Sequence, residues 1–211
     1  MKTRLLAVVC GFLLLAVAAK ADTVTIDFDS GNATGGFVDA TSYLASYGVT
    51  LSGVTAGTQV SIMDYNQVYG GTALNPVSGP NLLQQTGSNA PVSFTLTFSN
   101  PLLSFTFVVP DDAAPSTFPA WQAYAYSGTT LVASTGKGYT CCMSGPVTYS
   151  LVGSGITSVR IDSQNGNFAG FSAVPLDNLT LVSETSTVPE PATLLLTGSG
   201  ILGLGWRRFR G

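Results

Sequence analysis

Between residues 22 and 183, apolar and polar side chains alternate with a period of two. Val24, Ile26 and Phe28 interleave with Thr23, Thr25, Asp27 and Asp29, and Val92, Phe94, Leu96 and Phe98 interleave with Ser93, Thr95, Thr97 and Ser99. Successive side chains of an extended chain point to opposite faces, so each run describes a strand with one buried and one solvated side. Ser99-Asn100-Pro101 has turn chemistry, and Leu103, Phe105, Phe107 and Val109 resume the alternation, which predicts a hairpin over 92–109. Further strands are predicted near 48–53, 58–63, 120–127, 130–135, 146–152, 156–162 and 176–183. Helical spacing occurs only around Thr41 to Tyr47, where Tyr43 and Tyr47 lie four apart. No internal repeat of about 20–50 residues is visible. Short strands divided by Gly, Pro and Asn predict an all-β fold, an antiparallel β-sandwich over residues 22–183.

Both ends depart from this period. Lys2 and Arg4 precede an apolar stretch from Leu5 to Ala19, and Ala19-Lys20-Ala21 has the small-x-small form of a signal peptidase site. Residues 1–21 are therefore expected to be a signal peptide, with Asp22 as the mature start. Lipidation at Cys10 is disfavoured, because Val9 is bulkier than the small residue expected before it and little apolar sequence precedes it. At the other end, residues 184–191 read as a linker containing Pro189-Glu190-Pro191, where two prolines resist helix and keep the backbone extended. Residues 192–211 follow as a short hydrophobic helix and an arginine-rich tail with Arg207, Arg208 and Arg210. The run from Leu194 to Trp206 would span roughly 20 Å as a helix, short of the ~20 residues that usually cross a membrane. It is a marginal anchor whose arginines would stay cytoplasmic, leaving the body outside.

The segment Val188 to Arg210, VPEPATLLLTGSGILGLGWRRFR, resembles the PEP-CTERM sorting signal of Gram-negative bacteria, also labelled an ice-binding protein C-terminal domain. The box, the glycine-containing apolar run and the terminal arginines stand in that order, with Trp206 and Phe209 as small departures. The resemblance implies processing near Pro189, Glu190 and Pro191 by an exosortase, a membrane-embedded cysteine protease-transpeptidase. It also implies transient inner-membrane anchoring, sorting to the cell surface or extracellular matrix, and an association with exopolysaccharide. The body is similar to galactose-binding-like jelly-roll ectodomains and carbohydrate-binding modules. That likeness is carried by Ile26-Asp27-Phe28-Asp29, Tyr47-Gly48-Val49-Thr50-Leu51 and Leu176-Asp177-Asn178-Leu179-Thr180-Leu181.

Setting the ends apart changes the electrostatics. Residues 22–187 keep only Lys137 and Arg160 against ten acidic residues, a net charge of −8. Nucleic acid is excluded as a partner, because neutralising phosphates takes clustered Lys and Arg. The chain has no histidine, which removes the commonest general base and the usual zinc ligand. A glycosidase needs only two spaced carboxylates, but Asp111-Asp112 are chain neighbours in a proline-flanked loop, and no GxSxG, HExxH or phosphate-binding loop is present. The expectation is a nonenzymatic protein.

Three weaker signals concern ligands. First and last strands of a jelly roll commonly lie side by side, which would bring Asp27 or Asp29 near Asp177, and hard oxygen ligands suit a structural Ca2+ outside the cell. Strict alternation puts Asp177 with Leu179 and Leu181, opposite the side of Asp27 and Asp29, so one shared site needs a bulge near Asp177. Cys141 and Cys142 face an oxidising compartment, where a strained vicinal disulfide and intermolecular pairing are both open. Flat aromatic rings stack on pyranosides, which makes Trp121, Tyr124 and Tyr126 candidate glycan contacts; Tyr124 and Tyr126 share a face and Trp121 points the other way. The expected function is a secreted, exosortase-processed envelope or matrix protein associated with exopolysaccharide or biofilm matrix. The alternatives are a dedicated carbohydrate-binding module and a polysaccharide hydrolase or lyase.

Overall fold

A computed structural model describes residues 21–31, 33, 36–64, 66–67, 78–86, 91–110, 120–139, 145–163 and 174–184. Asp22–Glu184 form one compact unit. Its strands are β1 (Thr23–Ile26), β2 (Phe37–Asp39), β3 (Val49–Ser52), β4 (Gln59–Asp64), β5 (Asn81–Thr86) and β6 (Val92–Val109). They continue with β7 (Ala120–Ser127), β8 (Thr130–Ser134), β9 (Gly138–Tyr139), β10 (Val147–Ser163) and β11 (Asp177–Ser183), and one short helix, α1 (Thr41–Ala45), precedes β3. The larger sheet has the order β1-β11-β6-β10-β7-β8, with β3 added on β6 and β9 on β7; the smaller is β2-β4-β5. Every pairing is antiparallel. The result is the expected all-β, jelly-roll-like β-sandwich.

The inward alternation builds the core. Phe94, Leu96, Phe105 and Phe107 of β6, Leu151, Val159 and Ile161 of β10, and Ala123 and Ala125 of β7 join Ile62 and Leu83 of the smaller sheet in one buried cluster. Each fully buried large side chain contributes about 1.5–3 kcal/mol relative to exposure. An aromatic seam runs through it, with ring centroids 5.5 Å apart for Phe98–Phe105, 5.7 Å for Phe105–Phe107 and 5.8 Å for Phe107–Trp121. Such tilted contacts add to the area term.

The expected hairpin over 92–109 does not form. The chain runs through Ser99-Asn100-Pro101 as one 18-residue strand, β6, because both halves find the same partner in β10. The pairing shifts between Ile156 and Ser158 on one side of the break and between Val152 and Ile156 on the other, so both strands bulge at one level. Proline, with no backbone donor, is tolerated there because the ladder is already interrupted. Leu103 consequently lies 39% exposed while Leu102 takes the buried position, a phase slip that simple alternation misplaces. The strands expected at 146–152 and 156–162 likewise fuse into β10. Strands β2, β5 and β9 carried no alternation to announce them; in β5, Asn81, Leu82, Leu83, Gln84 and Gln85 are all buried, so polar and apolar residues share one environment.

Candidate functional site

The bend in β6 leaves its first half flanked by β3 and β10, and β7 and β8 extend the surface beyond. Pairs directly opposite in an antiparallel ladder share a face. The register therefore sets two rows on the solvent side: Thr50, Thr97, Ser158, Tyr126 and Leu131, then Ser52, Thr95, Arg160, Tyr124 and Ser134. A shorter row of Ser93, Asp162 and Gln122 completes it. Five strands thus present hydroxyls at one side and two tyrosines at the other, with one cation and one anion between.

Local bonds fix this face. The Tyr124 hydroxyl donates to Gln122 Oε1 at 2.9 Å, two residues back on its own strand, so the ring leans along β7. Gln122 is held in turn by its amide, which donates to the Thr135 carbonyl at 2.7 Å. Arg160 Nε donates to Asp162 Oδ1 at 2.6 Å, with side-chain exposures of 49% and 28%. The pair is open to solvent, so its own contribution to folding is small, and both groups stay accessible to a ligand. Tyr124 and Tyr126, expected as glycan contacts, lie half-buried here. Arg160 and Asp162 were missed: their spacing of two marks a shared face, but the register that sets them beside Tyr124 and Gln122 depends on pairing across the sheet.

Trp121 is not part of the face. It is 1% exposed, with its ring 4.7 Å from Tyr149 and 5.8 Å from Phe107, because a period of two turns it inward. Gly138 of β9 packs against it, and a Cβ there would run into the indole. The expectation of a glycan contact at Trp121 is thereby corrected: of the three aromatic candidates only Tyr124 and Tyr126 lie on the outer face.

Of the three aspartates expected around calcium, Asp27 and Asp29 are neighbours, and Asp177 is linked to the Asp27 backbone through Ser78. Phe28 turns at φ 65°, ending β1, and Asn178 at φ 47° makes the bulge that starts β11. Ser78 sits between the two ends: its Oγ contacts the Asp27 carbonyl at 3.3 Å and Asp177 Oδ1 at 3.1 Å, while its backbone N–H donates to Asp177 Oδ2 at 3.2 Å. Asn178 N–H donates to Asp177 Oδ1 at 2.7 Å, and Asp27 Oδ1 accepts the Asp29 N–H at 3.2 Å. Asp177, fully buried, thus has both oxygens occupied by protein donors, as a buried carboxylate requires. Asp29 is held above the usual carboxylate range by burial and then by the charge of Asp27. Among the described residues no three acidic, histidine or cysteine side chains are placed to hold a metal. The arrangement fits an internal hydrogen-bonded brace and does not fit a cation cage.

Other expected sites lie outside the described residues: Ala19 of the signal site, Asp111 and Asp112, Cys141 and Cys142, and Pro189, Glu190, Pro191, Arg207, Arg208 and Arg210 of the tail. Ala21 and Asp22 are described and stand just ahead of β1. Among the described residues no helix is long and apolar enough to cross a membrane; the expected C-terminal helix at 192–211 falls outside them.

Comparison with known families settles the tail. Residues 187–210 match the model of the PEP-CTERM protein-sorting motif. The chain carries a PEP-CTERM sorting signal. The motif implies export, a surface or extracellular location, and processing by an exosortase. No curated protein matches the chain. Among solved structures, the PEP-CTERM chain is similar to a cyclase from Fischerella sp. TAU, with a TM-score of 0.50 and 14% identity over 79% of this chain and 100% of that one. The CBM22-1 xylan-binding domain of Paenibacillus barcinonensis Xyn10C aligns at TM-score 0.40 and 16% identity, over 81% of this chain and 100% of that one. The CBM27-1 domain of Caldicellulosiruptor saccharolyticus, solved with mannohexaose, aligns at 0.40 and 12%, over 79% and 100%. At these identities the likeness concerns the fold alone.

Proposed function

We propose that this chain is an exported, nonenzymatic protein of the cell surface or extracellular matrix that contacts polysaccharide through the outer face of β7 and β10. Signal peptidase releases it at Asp22, the C-terminal segment holds it briefly in the inner membrane, and an exosortase processes it near Pro189-Glu190-Pro191. The match of residues 187–210 to the sorting motif carries the proposal. The face supports its second half, because two outward tyrosines lie beside uncharged hydroxyl and amide groups on a rigid sheet. A nonenzymatic role is supported by the absence of histidine from the chain and by the engagement of Asp162 with Arg160. Matrix or biofilm association belongs to the same proposal.

The test is intact mass and peptide mapping of the native protein recovered from producing cells and medium. A species beginning at Asp22 and lacking the residues beyond the Pro-Glu-Pro box is the expected product. Recovery of only the full-length tail in both fractions would overturn processing by cleavage.

A further inference from the structure

The chemistry of the outer face also limits which polysaccharide it takes. Its one cation, Arg160, is already matched by Asp162 at 2.6 Å, so the face is locally neutral. Only Nε is committed to that contact, which leaves the guanidinium's terminal N–H groups to donate and the second Asp162 oxygen to accept. A carboxylate beside a guanidinium suits a pair of neighbouring hydroxyls, one donating to Asp162 and one accepting from Arg160. It does not suit a carboxylate or sulfate, which would meet Asp162 as a like charge. The other groups on the face, Gln122, Tyr124, Tyr126 and the serine and threonine hydroxyls, are uncharged. Residues 22–187 add a background of −8, with Lys137 the only other cation. That field repels a polyanion, most strongly at low ionic strength.

We infer that the face binds an uncharged glycan, an extended chain of neutral pyranoses, with Tyr124 and Tyr126 stacking on sugar rings and the Arg160–Asp162 pair recognising adjacent hydroxyls. This rests on the polysaccharide-contact face proposed above and narrows its ligand. Arg160 and Asp162 are specificity residues; Tyr124 supplies the contact area.

The test is affinity electrophoresis of the full chain, solubilised in a non-glycosidic detergent, through gels carrying hydroxyethylcellulose, xylan or galactomannan, and through gels carrying alginate or polygalacturonate. Retardation by at least one neutral polymer is expected, little changed between low and physiological salt, with none by the acidic pair. Asp162→Asn and Tyr124→Ala are each expected to weaken retention about tenfold or more, the scale of losing a charge-assisted hydrogen bond or a stacked ring. Circular dichroism and the melting midpoint of each variant establish that it is folded. Retention by the acidic polymers equal to or above that by the neutral ones, still dependent on Tyr124, would overturn the neutral ligand and keep the face. Neutral binding unaffected by Asp162→Asn would overturn the role of the ion pair. Retention by none of the five polymers, or retention indifferent to Tyr124→Ala, would overturn the face itself.

Discussion

The two sides of β7 carry their large aromatic and amide groups to opposite ends, one inward and three outward. Inward, Trp121 fills the core beside Ala123 and Ala125, which are small enough to admit the aromatic seam. Outward, Gln122, Tyr124 and Tyr126 remain half-buried, with Tyr124 donating to Gln122 along the strand and Gln122 donating to the Thr135 carbonyl. Eight consecutive residues thus divide by parity into a set that determines stability and a set free to meet a ligand. An aromatic residue in a strand has no intrinsic role; the face it falls on decides it.

Substitutions can break this division. The largest effect is expected from Trp121→Ala, which removes a fully enclosed indole and leaves a cavity: about 3–5 kcal/mol lost in urea unfolding. A loss under about 1 kcal/mol would mean that the inner side does not set stability. Gly138→Ala follows, since a Cβ would intrude on the indole; about 1–3 kcal/mol is expected, with altered tryptophan fluorescence as β9 or the ring shifts.

Tyr124→Ala reverses the pattern. Unfolding free energy is expected to change by no more than about 1 kcal/mol, as at other partly exposed sites, while retention on neutral glycan falls. Collapse of the fold instead would make Tyr124 a structural residue.

The acidic residues beside β1 sharpen the comparison with a sign. Asp29 has a raised folded pKa, so its ionised form is disfavoured in the fold, and the associated stability is present when protonated and lost as pH rises through that value. Asp29→Asn is therefore expected to raise the melting midpoint at pH 7 and to have little effect near pH 3. Asp39 behaves oppositely: hydrogen bonds from Thr41, at 2.7 Å from its N–H, hold it below the usual range, so its contribution is present at neutral pH and lost on acidification. The smallest effect concerns metal. With both Asp177 oxygens already occupied, Ca2+ and EGTA are expected to leave the melting midpoint unchanged; a calcium-dependent rise would mean that a cation displaces the Ser78 donors.

Much of this architecture is legible in the sequence. The period of two places Val24, Phe94, Ala123 and Leu179 in strands without further information, and Pro189-Glu190-Pro191 with the terminal arginines marks the sorting signal. What escapes is whatever depends on partners distant in the chain. Ser99-Asn100-Pro101 has the chemistry of a turn, and only the continuous pairing with β10 overrides it. Arg160 and Asp162 look like ordinary solvent-side residues until the register sets them opposite Tyr124 and Gln122. The buried glutamines of β5 are illegible for the same reason: Gln85 is acceptable inside because Thr58 and the Ser93 carbonyl accept its amide at 2.7 and 3.1 Å.

The pairing of β1 with β11 also has a consequence in time. Thr23 to Ile26 meet Val182 to Leu179, so the first strand of the body closes against the last. A chain emerging N-terminus first must hold that opening strand unpaired until the segment just ahead of the sorting motif has followed it. Contacts of such long sequence separation are slow to form, because loop entropy is spent before they add stability. Completion of the fold therefore awaits the C-terminal end of the body, the stretch that lies just ahead of the sorting motif.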